Sequence, residues 1–168
     1  MNWEQRIEQL ERRVDALEEG TPAASSGPVA HGGELWALDG LKEQAPEDGG
    51  VVFAGSVPLP GGERVEWQYG LATGDLLGES WADAVEVFAA LGQPVRLMLL
   101  REILGGRRTA AELAALDGVG TTGQVYHHLR QLAAAGWLHG TGPGGRGEYE
   151  VPLSRVVPLL AMMAAARR

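Results

Sequence analysis

A chain of 168 residues, 45% hydrophobic and 21% charged, can bury one good core, or one core plus a smaller appendage. With no cysteine it has no disulfides, thiolate metal sites or thiol redox chemistry. No stretch approaches the ~18 unbroken apolar residues of a spanning helix, and the start is too charged for a signal peptide, so a soluble cytoplasmic protein is expected.

The net charge of −8 argues against a nucleic-acid partner until the chain is divided. Residues 1–79 carry 5 Lys+Arg against 15 Asp+Glu, whereas residues 80–168 carry 9 against 7. The second half is free to approach phosphates while the first stays away from them.

In chain order, residues 1–19 read as a short coiled-coil helix. Trp3, Ile7, Leu10, Val14 and Leu17 are spaced four and three apart, with Ile7 and Val14 at a and the others at d. Arg6 and Arg13 at g face Glu11 and Glu18 at e across a parallel pair, which favours a dimer over packing on the same chain. Residues 20–33 have the composition of a flexible linker. Residues 34–79 form an accessory region. A helix is expected over 34–44, with Leu35, Leu38, Leu41 and Ala45 on one side, stopped by Pro46. A hairpin follows, alternating Val51, Phe53, Gly55, Val57, Leu59 and then Val65, Trp67, Tyr69, Leu71 around a Pro60–Glu63 turn. Trp67 and Tyr69 share a face, read as core packing ahead of an apolar pocket.

Residues 80–168 are the most readable. Ser80 caps a helix to Leu91 with Ala84, Val87, Phe88 and Leu91 inward, and Pro94 opens a second helix that stops at Gly105. Thr109–Glu112 and Thr121–Gln124 are two capping boxes, each starting a helix, with a glycine-containing turn between them. Short strands at 137–139 and 148–151 flank a glycine-rich loop, and a last apolar helix covers 153–166.

Two short helices joined by a glycine turn, after two core helices and before a hairpin, spell a winged helix-turn-helix. The segments Leu91–Leu100, Thr109–Leu113, Val125–Leu132 and Ala135–Leu138 resemble those of ArsR-type transcriptional regulators over residues 80–166. The fold class read from the sequence is therefore mainly α with small β: a winged helix-turn-helix preceded by a coiled-coil helix, a linker and a helix plus hairpin. The resemblance implies a homodimeric, sequence-specific binder of double-stranded DNA, commonly a repressor, with its first and last helices at the dimer interface. It would be nucleoid-associated when bound.

The helix opening at Thr121 has two faces. Val125, Leu129 and Leu132 are spaced four and three apart and point to a core, leaving Gln124, His127 and Arg130 opposite and Tyr126 on the flank. Gln pairs with adenine, Arg with guanine, and Thr hydroxyls with phosphate. The DNA-contacting set is Thr121, Thr122, Gln124, Tyr126, His127 and Arg130, with Arg146 at the wing tip. His128 is read as structural, because adjacent helical residues point about 100° apart and share a metal poorly. The dimerisation set is Ile7, Leu10, Val14 and Leu17 with Leu159, Leu160 and Met163 of the last helix, which is apolar nearly all round. No metal, cofactor, membrane or catalytic site is implied. Two further readings stay open: a protein-docking module using the acidic, aromatic first half, and a sensor of an unidentified small-molecule effector or physical cue. An enzyme ranks last, for want of paired carboxylates, a nucleophilic triad or a phosphate loop.

Overall fold

The structure, a computed structural model, describes residues 35–141 and 147–167. The heptad stripe carrying Ile7, Leu10, Val14 and Leu17, the 20–33 linker and Arg146 lie outside the described residues. What is described mixes helices with two small antiparallel two-stranded sheets.

Helix α1, Trp36–Gln44, stops before Pro46 and buries no residue. Its expected apolar side is open along Leu35 and Leu38, 63% and 40% exposed. Only its far end is used, where Leu41 and Ala45 cover Gly50 at the start of the first strand. Strands β1, Gly50–Pro58, and β2, Arg64–Ala72, pair with Phe53 opposite Tyr69, Gly55 opposite Trp67 and Val57 opposite Val65. The turn is closed by the Leu59 N–H donating to the Glu63 carbonyl at 2.8 Å.

Helix α2, Thr73–Gly78, has no signal in the sequence. It carries two glycines and no apolar period, and its start is held by Asp48, whose Oδ2 accepts from the Gly74 N–H at 3.0 Å. Ser80 accepts from the Ala82 N–H at 3.3 Å, but it caps a 3-10 turn, Trp81–Asp83, that precedes α3, Ala84–Leu91. The inward arc of α3 is Val87, Ala90 and Leu91. Phe88, expected inside, lies one helical step beyond that arc and is 58% exposed.

Helix α4, Pro94–Leu104, begins at the position where proline's missing N–H is harmless and buries Leu99, Leu100 and Ile103. Helix α5, Ala110–Ala114, and helix α6, Thr122–Ala134, each open on a complete capping box. Strands β3, His139–Thr141, and β4, Glu148–Glu150, form the second hairpin. Thr109 adds a bridge to Glu148, and the Tyr149 N–H donates to the Arg108 carbonyl at 2.7 Å. The segment entering α5 thus lies along β4 as a third, strand-like edge.

Helix α7, Leu153–Ala165, closes the fold. The core joins Leu99, Leu113, Val125, Leu129, Leu132 and Val156, all fully buried, around Trp137. The indole N–H of Trp137 donates to the Val87 carbonyl at 3.0 Å. The apolar girth of α7, read from sequence as surface between subunits, is covered in part by its own chain. Val157 sits against Gly55 so closely that a Cβ there would lie 2.8 Å from its Cγ1, so β1 needs glycine at the crossing. Leu159, placed in the dimerisation set, is only 3% exposed and belongs to this core, whereas Leu160 is 38% exposed and Met163 half-buried. No helix among the described residues is long and apolar enough to cross a membrane.

Candidate nucleic-acid interface

Helices α5 and α6 are joined by residues 115–121. Val119, 2% exposed, pins this turn to the core, and Gly120 follows at φ +85°, a conformation that L side chains rarely adopt. Thr121 then caps α6 reciprocally. Its Oγ1 accepts from the Gln124 N–H at 3.4 Å, and its own N–H donates to Gln124 Oε1 at 2.7 Å. The N–H groups of Thr122 and Gly123 stay unpaired within the helix and point out of its positive end. An anionic oxygen fits there, beside two exposed threonines.

The faces of α6 divide cleanly. Val125, Leu129 and Leu132 have no exposed surface, while Thr121, Thr122, Gln124, Tyr126, His127 and Arg130 are all exposed. The structure brings these six together on one side of one helix. It alters the expected role of Gln124, because its carbonyl oxygen already serves the cap. A bidentate contact to adenine requires that cap to open, whereas its amide N–H₂ is available without any change. Gly123 is helical and exposed, and a Cβ there would meet nothing closer than Thr121 Oγ1 at 4.0 Å. Folding does not demand this glycine; close approach of another molecule would.

The second hairpin flanks α6. Tyr149 of β4 is 8% exposed, and its phenol is pushed above the usual tyrosine range by burial and by nearby Tyr126, an effect opposed by Arg130. Arg107 and Arg108 are tied to carboxylates. Arg107 reaches Glu102 at 2.6 Å, and Arg108 lies 3.5 Å from Glu150, which also pairs with His139 at 2.6 Å. Arg101 and Arg107 hold the Glu102 carboxyl below its ordinary range, chiefly through the hydrogen bond from Arg101. Among the described residues of the α6 face, Arg130 is left as the cation without a carboxylate partner.

Neither family models, curated proteins nor solved structures match this chain. The site therefore rests on its own geometry.

That geometry includes a support that the sequence pattern did not reveal. Arg96, 8% exposed, lies under α6 and donates to the Ala89 carbonyl at 2.8 Å and to Gln131 Oε1. Its Nε has no partner among the described residues. The signal was an arginine inside the apolar run Val95–Leu100. His128 lies near enough to Arg96 to feel its charge, and the buried Nδ1 of His128 has no partner among the described residues. Burial first, then the charge of Arg96 and neighbouring His127, holds its imidazole below the usual histidine range. A neutral His128 turned inward and an exposed His127 are separate groups, and among the described residues no three His, Asp or Glu side chains gather as a metal site.

Proposed function

We propose that residues 80–167 form a winged helix-turn-helix of the ArsR type that binds duplex DNA, with α5 and α6 as the two helices of the motif and β3–β4 as the wing. One observation carries the reading: a fully buried Val125–Leu129–Leu132 row fixes α6 so that Thr121, Thr122, Tyr126 and His127 in its first turns and Arg130 one turn further on stand exposed away from the core. In the major groove, Arg130 reads guanine, the threonine hydroxyls and free N–H groups hold phosphate, and Tyr126 and His127 line the base edges.

With one unpaired cation on the α6 face, a single copy binds weakly. Affinity comes from a homodimer, for which Leu160 and Met163 of α7 offer apolar surface. The chain acts as a repressor by occupying its operator. Selection of bound sequences from a random duplex pool tests this. The expected result is an imperfect palindrome, its half-sites about 10 base pairs or a multiple apart, with affinity falling steeply with salt. A pool that shows no enrichment overturns it. A second reading, a protein-docking module, draws on aromatics of the acidic first half: Trp36, Trp67 and Tyr69 are 64%, 36% and 47% exposed, although core packing is the sequence expectation for the last two. It gains only if DNA selection fails.

A further inference from the structure

A groove of about 560 Å³ opens between β1, α3 and α7, away from the polar face of α6. Small residues line it on both helices: Ala84 on α3, and Ala161 and Ala165 on α7. Its walls are Phe53, Phe88, Trp137, Pro158 and Met162, and Arg155 is the one charged lining residue among the described residues. This size and this apolar character, with a single convergent polar group, are those of small-molecule sites.

Arg155 decides the class of ligand. Its guanidinium carbon lies 5.1 Å from the centroid of the Trp137 ring, so the aromatic face holds the planar cation in place. Trp137 is itself anchored, 1% exposed and hydrogen-bonded to Val87. Among the described residues no carboxylate pairs with Arg155. A stacked guanidinium keeps its edge donors free, and that edge matches the two oxygens of a carboxylate. Among the described residues no second cation lines the groove to balance a doubly charged phosphate, and the remaining described wall is hydrocarbon.

We propose that this groove binds an apolar monocarboxylate, with its tail against Phe53, Phe88 and Met162 and its carboxylate on Arg155. The accessory hairpin thereby gains a role, since it supplies Phe53 as one wall. The assignment stands apart from the DNA reading, because the ligand site shares no side chain with the exposed face of α6.

Isothermal titration of the full-length chain with octanoate and with octan-1-ol tests it. Octanoate binds about tenfold tighter than octan-1-ol, the ratio given by a charge-assisted hydrogen bond of about 1.4 kcal/mol. Arg155→Gln removes that preference, bringing octanoate down to the affinity of octan-1-ol, and Arg155→Lys keeps part of it. Ala161→Trp fills the groove and abolishes both. Equal binding of the two probes to the wild type, no binding of octanoate, or a preference that survives Arg155→Gln overturns the proposal. So does unchanged binding in Ala161→Trp. If either variant fails to fold, as judged by its urea midpoint, the wild-type comparison of the two probes still decides. A second copy of the chain filling the groove registers as no octanoate binding together with loss of the dimer in Ala161→Trp.

Discussion

Gly55→Ala places a methyl where β1 crosses α7. The added Cβ falls 2.8 Å from Val157 Cγ1 and 3.1 Å from Cγ2. Val157 is 2% exposed and β-branched on a helix, so its methyls are held in one strongly preferred rotamer and cannot swing aside. Overpacking of this kind costs about 1–3 kcal/mol, offset by about 0.5–1 kcal/mol from replacing glycine inside a strand. The net is a destabilisation of about 1 kcal/mol, within a range of about 0–2.5 kcal/mol. Val157→Ala alone loses two buried methyls and costs about 2 kcal/mol. In the double variant the new methyl occupies the space that Val157 vacates, so the cost falls short of the sum by at least ~1 kcal/mol. Urea unfolding followed by far-ultraviolet circular dichroism, at constant m-value, measures all four corners of the cycle. Additivity within ~0.5 kcal/mol refutes the crossing, and with it the docking of the hairpin on α7.

Adjacent leucines on α7 should behave in opposite ways. Leu159→Ala, in the core at 3% exposure, lowers stability by about 2–5 kcal/mol, whereas Leu160→Asp, at 38%, shifts sedimentation from dimer to monomer and removes the dependence of the unfolding midpoint on protein concentration. Gly123→Ala, with open space at its Cβ, raises stability by about 0.5–1 kcal/mol in urea unfolding yet weakens duplex binding in fluorescence anisotropy. His128 has a folded pKa below its unfolded value of about 6.5, so the unfolded chain takes up its proton first as pH falls. The stability it contributes is complete above that value and is lost as pH drops toward the folded pKa. Urea midpoints between pH 7.5 and 5.5 should fall in the wild type and fall less in His128→Gln.

The helix starts were legible because capping boxes are local. Thr109 with Glu112 and Thr121 with Gln124 sit three residues apart, and both close as the pattern requires. The inward row of α6 was legible for the same reason, a period of three and four. Features that depend on distant partners were not. Helix α2 leans on Asp48, 26 residues before Gly74. Arg96 can be buried because the Ala89 carbonyl and Gln131 Oε1 accept its hydrogen bonds. The apolar girth of α7 pointed to burial between subunits, whereas the hairpin and core of the same chain cover part of it and Leu160 stays open. Gln124 carried two readings, cap and base contact, and periodicity could not say that its oxygen is already committed. The Arg155 groove was illegible altogether, since its parts come from three separate elements.

Whether the exposed face of α6 reads DNA turns on Arg130. The deciding experiment is an anisotropy titration of the wild type and Arg130→Ala on the selected duplex, and on duplexes changed at each guanine of the half-site. Arg130→Ala should lose about 1–3 kcal/mol of binding, with discrimination relaxed at one base position and the others unaffected. Equal affinity and an unchanged base preference in Arg130→Ala would refute α6 as the reading helix.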